Sequence, residues 1–242
     1  MIVLIRHGQT TSNASGLLVG RSDPALTPLG ERQARSLVPL LDGVRSVWSS
    51  PLRRARDTAA LAIPGVDAEV RSAFIEVDYG ALESQPIASV STEQWREFEA
   101  DHDVALGGGE SLASVDARVR VELEALLHDR TSLLHDEHEH LAIVSHVSPI
   151  KAAAVWALGV AGAVAWRTRL DNGSLTTIAV RRSRPLLVNF NVVPVAPSLV
   201  QRDADRPKVE ARPHEGQGVE EFVVAEDPRS ESGSLGPVKD RP

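Results

Sequence analysis

Two short apolar stretches of this chain each end in a histidine. "MIVLIRHG" passes from Ile5 straight into Arg6, His7 and Gly8, and "HLAIVSH" stops at His146. Between them, "SSPLRRARDTA" puts Arg53, Arg54 and Arg56 where a strand-like segment hands over to a helix-like one. Imidazole carries protons or attacks as a nucleophile near neutral pH, and guanidinium forks match the oxygens of phosphate. A helix N-terminus adds free N–H donors and the positive end of the helix dipole. Arginines in a first turn oppose that dipole. Their placement therefore points to an anionic ligand rather than to helix stability.

These side chains can act together only if the fold gathers them. Apolar runs without alternation suit strands buried on both faces of a parallel sheet, and ligands of such sheets bind beyond the strands' carboxyl ends. The rest of the chain supplies the layers. Thr27 caps a helix with Pro28 at its first position, Glu31 closes a capping-box spacing, and the helix runs to about Leu41. "VRSVWSS" is a second strand. Ser50 and Pro51 read as cap and first residue of the next helix, and Ser148-Pro149 repeats that logic after His146. "DAEVRSAFIEVDYG" is a short strand leading to a loop. "STEQWREFEA" and "GGGES" form a small helical insertion over one end of the sheet, about residues 81–109. "SLASVDARVRVELEALLHDR" is an amphipathic helix, and "GSLTTIAVRR" with "PLLVNFNVV" closes the sheet at an edge. The expected fold is an α/β three-layer sandwich with a mainly parallel central sheet, helices on both faces and a small helical lid.

Composition narrows the functions. The chain has 242 residues, 26 Lys and Arg against 33 Asp and Glu, and a net charge of −7. That balance disfavours a general nucleic-acid or anionic-membrane binder, so attraction for an anion must come from a few fixed arginines. With no cysteine there is no disulfide, thiolate metal site or cysteine nucleophile. Without a signal-type stretch or an apolar run of membrane length, a cytoplasmic protein is expected. Residues 1–197 read as one domain. From 198 to 242 prolines, charges and small residues dominate, a composition expected to stay disordered.

The segments "LIRHGQT", "DPALTPLGERQA", "SSPLRRARDTA", "EVDYGALE", "GGGES" and "VSHVSPI" occur in the order seen in the histidine phosphatase superfamily. The chain resembles that phosphoglycerate-mutase-like group with the Arg-His-Gly signature over about its first four-fifths. The resemblance implies His7 as nucleophile and His146 as the second catalytic histidine. It implies Arg6 and Arg54, the arginine before Ala55, as phosphate ligands, and Glu76 as proton donor. Asn13, Arg21 and Thr27 match positions bordering the substrate. Two departures stand out: Val147-Ser148 replaces a glycine pair after the second histidine, and Glu83-Ser84 replaces Glu-Gly.

The chemistry implied is phosphoryl transfer through a phosphohistidine. Arg6, Arg54 and a protonated His146 would hold the phosphate oxygens while neutral His7 attacks in line. Glu76 would protonate the leaving oxygen and then take a proton from the attacking water. The ligand expected is a small-molecule phosphate ester, with no metal or other cofactor, because the arginines neutralise the charge. The acidic segment Glu93, Glu97, Glu99, Asp101 and Asp103, against Arg96 alone, disfavours a second phosphate and so favours hydrolysis over mutase transfer. A phosphoglycerate mutase and a non-catalytic phospho-ligand binder remain as alternatives. So does a metal-dependent hydrolase built on His135, His138 and His140 of "HDEHEH". The oligomeric state is left open.

Overall fold

The computed structural model describes residues 1–128, 140–181 and 184–194. Its strands are β1 (Ile2–Arg6), β2 (Val44–Ser49), β3 (Ala68–Val70), β4 (His140–Ser145), β5 (Leu175–Arg181) and β6 (Arg184–Val192). They form one sheet in the order β3-β2-β4-β1-β5-β6. The first four of that order run parallel, while β5 and β6 are antiparallel and close one side. The helices are α1 (Thr11–Ala14), α2 (Pro28–Ser36), α3 (Arg53–Ala62), α4 (Thr92–Ala100), α5 (Leu112–His128) and α6 (Val147–Leu158). Among the described residues no helix is long and apolar enough to cross a membrane. The tail from 198 onward, and His135 and His138, lie outside the described residues; His140 opens β4.

The central strands β1 and β4 are buried on both faces, as their unbroken apolar runs require. Ile2 and Leu4 of β1, with Leu141 and Ile143 of β4, face α5 and α6 through Val115, Val119, Leu123 and Ile150. Val3, Ile5, Ala142 and Val144 face the other way, onto Ala55, Ala59 and Ala62 of α3 and Leu37 after α2. Helix α4 anchors the insertion: Phe98 is fully buried and contacts the rings of Tyr79, Trp95 and Trp166.

Helix ends depart from the sequence expectations in an informative way. Thr27 does cap α2, accepting from Gly30 N, but the third helical position is Gly30, so Glu31 closes no capping box. Glu31 instead faces Arg35 one turn on, at 3.6 Å. Helix α2 stops at Ser36, and the expected final turn is a 3-10 turn, Val38–Leu40. Helix α3 begins at Arg53, not Pro51, because Asp23 supplies its cap from another loop: both carboxylate oxygens accept from Arg53 N, at 2.8 and 3.0 Å. Helix α6 begins at Val147, with His146 as its capping residue and Pro149 already inside. In both helices an anion from elsewhere in the fold meets the dipole, and Ser50 and Ser148 are released from the capping role.

Gly8 shows why the turn after β1 needs glycine. A Cβ there would lie 2.3 Å from Gly30 O, and one on Gly30 would lie 2.1 Å from Gln9 O. The loop and the first turn of α2 thus cross backbone to backbone. The reverse case is Ser84, a serine at φ 64° whose N–H donates to Leu18 O at 2.7 Å. A left-handed backbone costs a residue with a side chain about 1–2 kcal/mol, against about 0.5–1 kcal/mol of extra chain entropy for glycine. Ser84→Gly should therefore raise stability by about 0.5–1 kcal/mol in urea unfolding; a loss would show that the serine is not strained.

Candidate active site

The sheet order explains how the two histidines meet. β1 and β4 are parallel neighbours with Arg6 opposite Ser145. The next residue of each strand, His7 and His146, therefore emerges side by side, and the ring centroids lie 5.0 Å apart. β2 flanks β4 on its other side, with Ser49 opposite Val144. The chain leaving β2 passes Ser50 and enters α3, whose second residue, Arg54, points back under both rings. Arg53 and Arg56 of the same turn are exposed, and Arg53 pairs with Asp57 at 3.1 Å. Arg54 alone is buried, at 1% exposure.

Arg54 fixes the tautomers. Its Nε–H lies 3.2 Å from His7 Nε2 and 3.2 Å from His146 Nδ1. Guanidinium only donates, so both ring nitrogens must carry lone pairs. The proton of His7 is then on Nδ1, donated to Gly8 O at 2.7 Å. The proton of His146 is on Nε2, donated to Ser50 Oγ at 2.7 Å. The terminal nitrogens of Arg54 donate to Ser22 O at 2.6 Å and Gly20 O at 2.7 Å. Burial lowers the pKa of Arg54 to about 10, opposed by the charges of Glu76 and Asp23, so it stays cationic at neutral pH.

Both histidines are pushed well below the ordinary imidazole pKa. Burial is the largest cause for each, with Arg54 and Arg6 adding repulsion. The structure thus favours a neutral His146, where the sequence reading has it protonated against phosphate, because burial and two nearby cations oppose its charge.

Glu76, 7% exposed, reaches the same place from the loop after β3. Its Oε1 accepts from Val77 N at 2.9 Å and Ser148 N at 3.2 Å, and its Oε2 accepts from Val147 N at 3.1 Å. It is thus the anion at the N-terminus of α6. Oε2 carries one N–H where Oε1 carries two, so Oε2 has a lone pair to spare.

The remaining expected residues divide. Arg6, at the end of β1, donates to Leu170 O and its charge reaches both histidines. Asn13 lies beside them: its Oδ1 accepts from Thr10 N at 3.1 Å, from Thr10 Oγ1 at 2.9 Å and from Asn172 Nδ2 at 3.4 Å, leaving the amide N–H groups as its free hydrogen-bonding end. Thr27 is engaged within the fold. Its hydroxyl caps α2 and donates to Gln9 Oε1 at 2.8 Å. Arg21 is likewise engaged, with Glu110 at 3.0 Å and Asp78 at 3.5 Å. Sequence reasoning gave Ser50 only a helix-capping role, and Thr58 and Asn172 none. Thr58 Oγ1 accepts from Gly8 N at 3.0 Å, and Asn172 Nδ2 donates to His7 O at 3.1 Å. Thr58 sat inside a quoted motif, but Asn172 sits in "DNGS", which carries only a turn signal.

The neutral pair has a pH signature. Above pH 6.5 neither the folded nor the unfolded chain protonates these rings. Below it the unfolded chain gains protons that the folded site refuses, so stability falls with falling pH. Two such histidines should remove about 2 kcal/mol between pH 6.5 and 5.5. Denaturant unfolding across that range checks this, and His7→Asn should roughly halve the slope; an unchanged slope would contradict the assignment.

Comparison with known proteins identifies the family. The model of the histidine phosphatase superfamily (branch 1) matches residues 2–193. A bifunctional protein of Mycobacterium tuberculosis is 33% identical over 183 residues, covering 72% of this chain and 49% of its own. The chain thus spans about half the length of such mycobacterial relatives. Phosphoserine phosphatase 1 of Hydrogenobacter thermophilus is 30% identical, covering 79% of this chain and 92% of its own. A probable phosphoglycerate mutase of Serratia proteamaculans is 31% identical, covering 84% and 94%. Among solved structures, a mycobacterial glucosyl-3-phosphoglycerate phosphatase with VO3 superposes with a TM-score of 0.72 at 26% identity, covering 78% of this chain and 98% of that one. With paired histidines, a buried arginine between them and a family match running from β1 to β6, this chain belongs to the histidine phosphatase superfamily, branch 1.

Proposed function

We propose that this protein hydrolyses the phosphate monoester of a small metabolite through a phosphohistidine on His7. The observation that carries the reading is the unprotonated His7 Nε2, held by Arg54 with its proton fixed on Nδ1. That lone pair attacks phosphorus in line as the bond to the leaving oxygen breaks. Arg6 and Arg54 neutralise the dianion, and the N–H groups of Asn13 are available to its oxygens. The incoming charge also favours protonation of His146. Ser50 already holds the Nε2 proton, so the new one enters at Nδ1, on the side facing Arg54 and His7. The ester binding as its monoanion supplies the proton, which passes to the spare lone pair of Glu76 Oε2 and from there to the leaving oxygen as its bond to phosphorus breaks. Water then attacks phosphorus, the P–N bond breaks, its electrons return to Nε2, and Glu76 recovers the proton.

Two features support water over a second phosphate as acceptor. Arg21 and Arg53, the cations outside the histidine pair that a mutase would use, are each matched to carboxylates: Arg21 to Asp78 and Glu110, Arg53 to Asp57. The exposed face of α4 carries Glu93 and Glu97 with Arg96 alone between them. The named relatives that are phosphatases act on small phosphorylated compounds, and we take the same class here. Residues 1–197 are taken as the phosphatase domain, working in the cytoplasm where such esters are made.

A panel of phosphate monoesters with EDTA present should release inorganic phosphate faster than bisphosphate-dependent interconversion of 2- and 3-phosphoglycerate. Faster interconversion would make the protein a mutase, and phosphate release abolished by EDTA would favour a metal site. His7→Ala should lower turnover by at least about a thousandfold on every ester.

Glu76→Gln should slow alkyl esters far more than nitrophenyl phosphate, whose leaving group needs little protonation. Its amide would also turn N–H groups toward the α6 donors, costing about 1–3 kcal/mol in unfolding assays. Equal slowing of both esters would remove Glu76 as the acid.

A further inference from the structure

A chain of charged groups lies behind Glu76, and the mechanism above does not use it. Glu110, just before α5, receives Arg118 Nε on Oε1 at 2.9 Å, and on Oε2 both Arg118 at 3.1 Å and Arg21 at 3.0 Å. Both arginines also donate to the backbone that carries the acid. Arg118 donates to Ala73 O, to Ile75 O at 2.7 Å and toward Glu76 O at 3.5 Å. Arg21 Nε donates toward Glu76 O at 3.4 Å. The Glu110 side chain is 15% exposed and that of Arg118 20%, so the pairing is largely shielded from water. Glu110 N also donates to Asp78 O at 2.8 Å, joining the start of α5 to the same loop.

This network meets the phosphate end of the site through one short loop. Arg21 lies between Gly20 and Ser22, whose carbonyls hold Arg54. Glu83 closes the loop from the other side, accepting from Arg21 N at 2.6 Å and Ser22 N at 2.9 Å. Glu110 therefore neutralises two guanidinium groups that converge on one peptide carbonyl, that of Glu76. Without its charge the two cations would repel each other across that carbonyl, with Asp78 alone to offset them.

We propose that Glu110, acting through Arg118 and Arg21, is a positioning residue that sets Glu76 against the leaving oxygen at a fixed distance from Arg54. The proposal rests on the reading of Glu76 as the general acid. Proton transfer needs close registration of the acid, whereas in-line attack by His7 depends on groups held by β1, β4 and α3. Loss of Glu110 should therefore appear in leaving-group protonation and not in phosphate binding.

The test is Glu110→Gln, assayed with glycerol phosphate and with p-nitrophenyl phosphate, beside Glu76→Gln. Turnover of glycerol phosphate should fall by about tenfold or more, while that of the nitrophenyl ester stays within about twofold. The dissociation constant of inorganic phosphate should also hold within about twofold. Equal losses on both esters, no loss on either, or a matching loss of phosphate affinity would overturn the proposal. Should Glu110→Gln fail to fold, Arg118→Lys carries the same expectations, since it keeps the charge but loses the fork whose two arms meet the Ala73 and Ile75 carbonyls. A selective Glu76→Gln with an unselective Glu110→Gln would sink only the positioning role. An unselective Glu76→Gln would sink the acid assignment itself.

Discussion

One N–H, that of Arg54 Nε, is shared by the two imidazoles, and most of the site is arranged around keeping it there. A guanidinium at 1% exposure is costly unless its donors are met. The carbonyls of Gly20 and Ser22 meet two of them, which fixes the path of the loop after α1. The shared N–H in turn decides which ring nitrogens are bare. The bare ring nitrogens, the tautomers and the loop conformation thus follow from one buried cation.

Glu76 shows the same economy. Its carboxylate answers the first N–H groups of α6, a task that local serines perform in simpler helices, and it does so from 71 and 72 residues away in sequence. A helix capped by the proposed acid ties the orientation of Glu76 to the helix that carries His146 at its start. The acid cannot drift without leaving N–H groups unmet, at a cost of about 1–3 kcal/mol each.

Much of this was legible in the sequence. The two strands ending in histidine, the arginine-bearing turn and the layered α/β order could be read because burial on both faces leaves unbroken apolar runs, and because chemistry collects where such runs end. The helix starts were misread for a single reason. Ser50-Pro51 and Ser148-Pro149 look like caps, but Asp23 and Glu76 take that role from distant segments, and no local pattern encodes a partner supplied by the fold. Neutral His146 was hidden likewise, since its state depends on Arg54, Arg6 and burial together. Thr27 and Arg21 were assigned by resemblance to the substrate border, yet a cap and an ion-pair network hold them. Asn172 gave no signal because a turn asparagine looks the same whether or not it holds the backbone of a paired histidine.

The strand order also bears on how the site comes into being. β4 lies between β2 and β1, although it is made long after both. Until it is in place, β1 and β2 have no ladder between them, and His7 has neither its neighbour ring nor the Ser145 carbonyl that holds its own N–H. Contacts of such sequence separation form late, after the entropy of closing a long loop is overcome. A nascent chain on the ribosome therefore carries His7 and Arg54 through the 92 positions from Arg54 up to His146 before the two rings can pair. The paired site is completed in one step, when the last central strand slides into the gap.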